Sequence, residues 1–472
     1  MAVGEATFAA LGAELWELVH SLRARFSVPG AAIGVIDGES EAIVCSGDTN
    51  VDEPRPVGPH TLFQIGSITR TVTAAAAMRL VETGRLDLEA PIRAYLPDFR
   101  LADEDVARRV NLRHLFTHRA GWWMHHLPDT GEGDEALGRG VAALETARQL
   151  SPLDEVYNYL PSAASVAGRV IEVVTGRTYE AACRELLLEP LGLTDACFTA
   201  ADAITRSVAV GHHLVDGRAT VARPWGTCRS HRPGSGLVAS LADLMAYARF
   251  QIGDGSVAGR PILMERSLRF MQSPLAPAPF GEHLGLAWYV RDAPQGRLIR
   301  HSGGVDGHAC WLQCLPSRRF ALVILANVAN TPFVYELTRW LLSRCIGLEQ
   351  PRADRWLAQT TGPDERIRPF LGHYDMPKAH VELVRRQQTL VALVRLKPLP
   401  GAEEPAPDLP PMRLAFTGLD RVVVIDPPWY DMPGEFVRDR AGRVAWFHLG
   451  GKTFAFGGLA PPLPLSDSEA VI

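Results

Sequence analysis

No run of about 18 uninterrupted apolar residues occurs anywhere in the 472-residue chain, so no membrane-spanning helix is expected. An excess of positive charge is missing too. Lys+Arg 48 against Asp+Glu 53 leaves a formal charge of −5, which gives no strongly basic surface to hold a phosphate backbone and argues against nucleic acid as a partner. Cysteine is sparse and unpatterned. The seven lie at 45, 183, 197, 228, 310, 314 and 345, and only Cys310 and Cys314 are close, so neither a disulfide nor a zinc framework can be read from them. The start of the chain has no basic cluster followed by an apolar run of signal-peptide length. Phe8, Leu11, Leu15, Leu18 and Leu22 recur there at helical spacing, and the expectation is a packed helix in a reduced, cytoplasmic protein. No serine stands in a Gly-x-Ser-x-Gly setting, which counts against an α/β-hydrolase, and no Gly-x-x-x-x-Gly-Lys-Ser/Thr element supports nucleotide use. No cofactor is expected.

What is present is ordinary globular composition, 47% hydrophobic and 21% charged with 42 Gly and 35 Pro. The length suits one large catalytic domain and a small second one. Ala31 to Asp37 and Ala42 to Cys45 read as two strands joined by a tight turn at Gly38. Thr69 to Thr83 reads as a helix stopped by Gly84, and helical patterns recur at Ala164 to Val174, Tyr179 to Leu188 and Leu241 to Phe250. Strand texture returns at Leu298 to Arg300, Ala309 to Leu315 and Phe320 to Ala326, before a helix from Phe333 to Leu342. Beyond Gln350 the character changes to strands and polar turns. Strands are expected at His380 to Arg385, Thr389 to Leu396, Arg421 to Asp426, Glu435 to Arg438, Val444 to Leu449 and Thr453 to Phe456, with the proline-rich Pro398 to Pro411 as a loop. The expected domains are a mixed helix-and-strand unit over 1–350 and an all-β unit over 369–460.

Ser67 sits where a strand-to-helix turn ends, at a helix N-terminus whose N–H groups favour developing negative charge, and Arg70 follows on the same face. A Ser-x-x-Arg alone is equally a helix cap. The surrounding run Leu62-Phe63-Gln64-Ile65-Gly66-Ser67-Ile68-Thr69-Arg70 resembles the Ser-x-x-Lys element of serine hydrolases built like class C β-lactamases and penicillin-binding proteins, with the lysine replaced. Further landmarks are similar and in order: Leu86-Asp87-Leu88, Tyr95-Leu96-Pro97, His114-Leu115-Phe116-Thr117-His118 with Gly121-Trp122, Gly168-Arg169 with Thr175-Gly176, Glu189-Pro190-Leu191-Gly192-Leu193, and His301-Ser302-Gly303-Gly304. The resemblance spans about residues 25 to 345. It implies an α/β (α+β) β-lactamase/transpeptidase-like domain with an antiparallel sheet and a helical region. Phe436-Val437-Arg438-Asp439 and Gly442-Arg443-Val444 resemble the lipocalin-like domain that follows it in some members.

The resemblance assigns Ser67 as nucleophile, Tyr159 as proton relay and His301 as a polar group of the pocket wall. It places the oxyanion hole at the backbone N–H groups of Ser67 and Gly304. The Tyr-x-Asn element falls on Tyr159-Leu160-Pro161, so its asparagine is lost. A guanidinium does not give up its proton near neutral pH, so Arg70 cannot serve as base, but a fixed cation beside a phenol favours the phenolate, which leaves Tyr159 as the expected base. Pro161 offers neither an amide side chain nor an N–H, so amide and β-lactam substrates should suffer most. Three readings stay open. The first is a serine hydrolase or acyltransferase acting on a small ester, thioester or amide. The second is a repurposed pocket doing non-hydrolytic cyclisation, rearrangement or elimination in metabolite biosynthesis with Arg70, Tyr159 and His301. The third is a noncatalytic protein that keeps the fold.

Trp122, Trp311 and His125 are the remaining substrate-binding candidates, because aromatic side chains commonly wall such pockets and the segment from Trp122 to Gly131 matches a variable loop beside the site in the family. His114 and His118 have the spacing of a two-histidine metal face, yet no Glu follows His114 and the resemblance treats both as structural, so no metal is expected. A small-molecule substrate is the expected partner.

Overall fold

In the computed structural model the described residues are 5–124, 127–329, 331–349, 364–376, 379–397, 409–427, 429 and 432–457. The first helix, Glu5–Arg25, buries Leu11, Leu15, Val19 and Leu22 at the spacing read from the sequence. These side chains share a core with Ala31, Ile33 and Val35 and with Leu337 and Leu341 of the helix Phe333–Ile346. Among the described residues no helix is long and apolar enough to cross a membrane.

The strands Gly30–Asp37 and Ser40–Gly47 form a hairpin whose two-residue turn carries Gly38 at φ 64°. They begin an eight-stranded antiparallel sheet. Its spatial order is Ser40–Gly47, Gly30–Asp37, Phe320–Ala326, His308–Leu315, Gly296–Val305, Tyr289–Ala293, His283–Leu284 and Ala276–Pro277. Phe320–Ala326 is buried along its whole length. Phe320, Leu322 and Ile324 face the layer of the first and last helices, whereas Ala321, Val323 and Leu325 face a second, larger core under the remaining helices. Burying such side chains is worth roughly 1.5–3 kcal/mol each, which is why this strand reads as a continuous apolar run rather than an alternating one.

The helical side contains Thr69–Glu82, Pro161–Thr175 and Leu241–Ile252. Pro161 occupies the first helical position, where no N–H is needed, and Gly176 ends that helix at φ 69°. The single helix expected over Tyr179 to Leu188 is instead helical to Cys183 and then a wider turn, Arg184–Leu188, ahead of Pro190, which cannot donate to the preceding turn.

Contacts divide the chain into two compact units, Met1–Gln350 and Pro351–Ile472. The second is a closed barrel of eight antiparallel strands, with Lys452–Phe456 returning to pair with Gly372–Met376. Six of its strands were expected; Gly372–Met376 and Met412–Phe416 were not. Most of the Pro398 to Pro411 loop lies outside the described residues. A mixed unit with an antiparallel sheet plus a separate small all-β unit is the fold class the sequence implied.

Candidate active site

The strand Leu62–Gln64 pairs with Val238–Ser240 and delivers the chain through Ile65 into a tight turn, Gly66–Ile68, that opens the helix Thr69–Glu82. From Thr61 to Met78 every residue is buried except Ser67, so the turn presents one side chain to the cleft. Gly66 has φ 52°, and a Cβ there would lie 2.7 Å from the Gly304 nitrogen. A Cβ on Gly303 would collide with the Ile65 carbonyl oxygen. The turn carrying Ser67 and the strand Gly296–Val305 therefore meet backbone to backbone, and only glycines permit it. That contact puts the Gly304 N–H beside the turn carrying Ser67, the arrangement an oxyanion site requires.

The Tyr159 hydroxyl donates to Ser67 Oγ at 2.8 Å, and Arg70 Nη1 donates to the Tyr159 oxygen through a short contact. Arg70 Cζ also lies 4.7 Å from the centre of the Tyr159 ring. Arg70 is 3% exposed, its Nε has no acceptor, and among the described residues no carboxylate is within 4.0 Å of it. A buried cation without an acidic partner is costly, and the phenol oxygen is the group placed to share its charge.

His301 lies on the same wall and is 1% exposed. Its Nδ1 is 2.6 Å from the Ser302 carbonyl oxygen, so Nδ1 carries the proton and Nε2 is left as a buried acceptor without a partner among the described residues. Burial, and then the nearby Arg70 cation, push the imidazole down to about 3, so it stays neutral at physiological pH. The ring is a polar wall element and a weak proton acceptor.

Three aromatic groups not singled out as site residues by sequence surround this core. The His118 ring is 4.7 Å from that of Tyr159, and its Nδ1 accepts the Leu160 N–H at 3.3 Å. The Tyr157 and Tyr289 hydroxyls meet at 2.6 Å, and burial raises both phenols above their ordinary range. His118 has φ 55° and lies past the end of the helix Leu112–Phe116, while His114 Nδ1 accepts the Asn111 N–H in a cap, so the two do not form one helical metal face. Among the described residues no group of three or more His, Cys, Asp or Glu could hold a metal ion.

Ser67, Arg70 and Tyr159 are brought together, with His301 and Gly304 on the facing strand. Two other candidates are not. Trp122 is fully buried in the helical core, where its Nε1 donates to Ser162 Oγ at 2.9 Å, because a whole indole is stabilised more by burial than by lining a wet cleft. Trp311 points to the sheet's other face, toward the first and last helices, since strand alternation separates it from Leu312. His125 lies outside the described residues. The loss of lysine extends beyond position 70. The three lysines of the chain, Lys378, Lys397 and Lys452, all belong to the second unit, so the first contains no lysine.

A family model described as Beta-lactamase matches residues 15–343. The chain is 31% identical over 371 residues to Penicillin-binding protein 4 of Amycolatopsis lactamdurans, a match covering 76% of this chain and 96% of that protein. The crystal structure of SurE superposes with a TM-score of 0.74 at 24% identity, covering 95% of this chain and 99% of that one. An octameric penicillin-binding protein homologue from Pyrococcus abyssi superposes with a TM-score of 0.64 at 22% identity, covering 90% and 96%. The matched span, the overall similarity and the turn carrying Ser67 lead to one conclusion: the chain belongs to the Beta-lactamase family.

Proposed function

We propose that the protein is a serine acyl-transfer enzyme acting on a small ester, thioester or unhindered amide. The observation that carries this reading is the hydrogen-bonded line from Ser67 Oγ through the Tyr159 hydroxyl to Arg70 Nη1, with Ser67 the one side chain its turn leaves accessible. In this reading Tyr159 acts as the base, with the permanent charge of Arg70 bonded to its oxygen. As Ser67 Oγ attacks the substrate carbonyl its proton passes to the Tyr159 oxygen. The tetrahedral oxyanion sits against the Ser67 and Gly304 N–H groups. On collapse Tyr159 returns that proton to the leaving group, giving an ester on Ser67. Water or an amine then attacks the ester while Tyr159 takes the incoming proton, and Ser67 is regenerated.

Pro161, at the first turn of its helix, leaves no side-chain amide where the family places an asparagine. Esters and thioesters, whose leaving groups need less help, should therefore outrun β-lactams. Incubation with a fluorophosphonate or an activated ester followed by intact mass spectrometry should add one label per chain to the wild type and none to Ser67→Ala. No label on the wild type, together with turnover of a substrate that survives Ser67→Ala and is lost in Tyr159→Phe, would overturn the reading in favour of non-covalent proton-transfer chemistry in the same pocket.

A further inference from the structure

The strand Gly296–Val305 alternates its side chains between two faces, Ile299 and His301 toward the helical core and Leu298 and Arg300 toward the layer of the first and last helices. On that second face the sheet and the helix Phe333–Ile346 leave a cavity of about 180 Å³, whose lining includes the Tyr289 that also meets Tyr157. Its charge is uneven. Arg300 is neutralised by Glu282 in a two-pronged pair, Nη2 to Oε2 at 2.5 Å and Nε to Oε1 at 3.1 Å. Arg291, which also lines the cavity, makes no hydrogen bond or ion pair among the described residues. Burial lowers its pKa below the ordinary guanidinium range, outweighing the opposing pull of the Glu282 carboxylate.

The uncharged groups have the same bias. Thr338 is 2% exposed and its hydroxyl, at the cavity wall, has no partner among the described residues. Gln313 is 1% exposed, and its amide oxygen already accepts the Trp311 indole N–H at 3.0 Å, leaving the amide NH2 as the group able to donate. A guanidinium, a hydroxyl and an amide NH2 thus line one small space in which two guanidiniums, Arg291 and Arg300, stand against the single carboxylate of Glu282. A buried hydroxyl left without a partner, as that of Thr338 is among the described residues, is seldom found in native interiors. The complement is a group that only accepts and carries a single negative charge. A phosphate dianion is disfavoured, because the Glu282 carboxylate lines the same space. Trp311 and Tyr335, whose rings pack edge to face at 5.8 Å, supply an apolar wall for the rest of the ligand.

We infer that this cavity is a binding site for a small organic monocarboxylate with an apolar body, held by Arg291, Thr338 and Gln313, and distinct from the Ser67 centre. The inference does not rest on the acyl-transfer reading. Calorimetric titration of benzoate into full-length Ser67→Ala, a background in which the nucleophile is absent, should show one saturable site per chain. Arg291→Gln in that background should weaken binding at least tenfold and Thr338→Val at least threefold, each with unchanged circular dichroism, while Arg70→Gln should leave it unaltered. Inorganic phosphate should not displace the benzoate. Crystals soaked in 4-bromobenzoate should show a bromine anomalous peak in the cavity bounded by Arg291, Trp311 and Tyr335. Absence of saturable binding, loss of binding in Arg70→Gln instead of Arg291→Gln, displacement by phosphate, or a bromine peak confined to the Ser67 cleft would each overturn the inference. The crystal measurement needs no variant and so holds even where a substitution fails to fold.

Discussion

Arg70 stands where the Ser-x-x-Lys element that this sequence resembles has its lysine, and its surroundings define its task. A lysine at that position can give up a proton when desolvated; a guanidinium cannot, so it acts as fixed charge. Replacing it with glutamine removes the positive charge bonded to the Tyr159 oxygen, and under the proposed mechanism Ser67 labelling by an activated ester should slow about 100-fold. Because the same change deletes a buried cation without an acidic partner, the melting temperature should stay level or rise, an outcome that separates an electrostatic role from a structural one. Arg70→Lys should accelerate labelling, since it introduces a group able to act as base beside an otherwise intact Ser67 and Tyr159. The buried histidines give a prediction about pH. His301 is held at about 3 and His308 at about 4, both mainly by burial, against 6.5 when exposed. With folded values below the unfolded one, the unfolded chain takes up protons first as pH falls. Stability is then unaffected above about pH 6.5 and lost progressively from there toward pH 4, by on the order of a few kcal/mol per ring. Urea midpoints measured from pH 8 to pH 4 should trace this decline, and His308→Gln should flatten it.

At the scale of elements the site depends on one contact, the approach of Gly303 and Gly304 to the turn at Ile65 and Gly66. Gly303→Ala would drive a methyl group into the Ile65 carbonyl, so the strand must withdraw from the turn and carry the Gly304 N–H away from Ser67. The expected result is a loss of more than 100-fold in the labelling rate, read by stopped-flow with the activated ester, and destabilisation of about 1–3 kcal/mol in urea. The glycine pair and Ser67 were legible in the sequence as motif, and the elements carrying them as pattern: the apolar run Phe320–Ala326 and the alanine-rich helix Thr69–Glu82 are strong local signals. Weaker elements were not. Tyr289–Ala293 has a half-exposed, polar character near the sheet's edge and shows no apolar alternation, and Gly372–Met376 alternates over only Tyr374 and Met376, too short a pattern to stand out. Tyr289 reaches Tyr157 across 132 positions of chain, a distance no spacing rule spans. Trp122 and Trp311 were misplaced for a related reason. A tryptophan near a motif can face the pocket or the core, and the choice is made by strand and helix packing that local sequence does not encode.

The whole molecule has two separately closed cores. In the first unit the sheet is buried on both faces by its own helices, and in the second Tyr374, Val381, Leu383, Leu390, Phe436 and Phe447 fill a barrel whose last strand pairs with its first. Closure leaves that barrel no unpaired edge to be satisfied from outside, and each core is large enough to support its own cooperative transition. Every group in the proposed acyl-transfer step, Ser67, Arg70, Tyr159, His301 and Gly304, lies within Met1–Gln350. A chain ending at Gln350 should therefore fold, keep its near-ultraviolet circular dichroism and acylate Ser67 with an activated ester within about threefold of the full-length rate. Calorimetry of the full chain should resolve two transitions, one of which the truncated chain retains. A truncated chain that folds but no longer labels would mean that the second unit completes the chemistry; since it carries all three lysines, their replacement one at a time in the full-length protein would then be the decisive measurement.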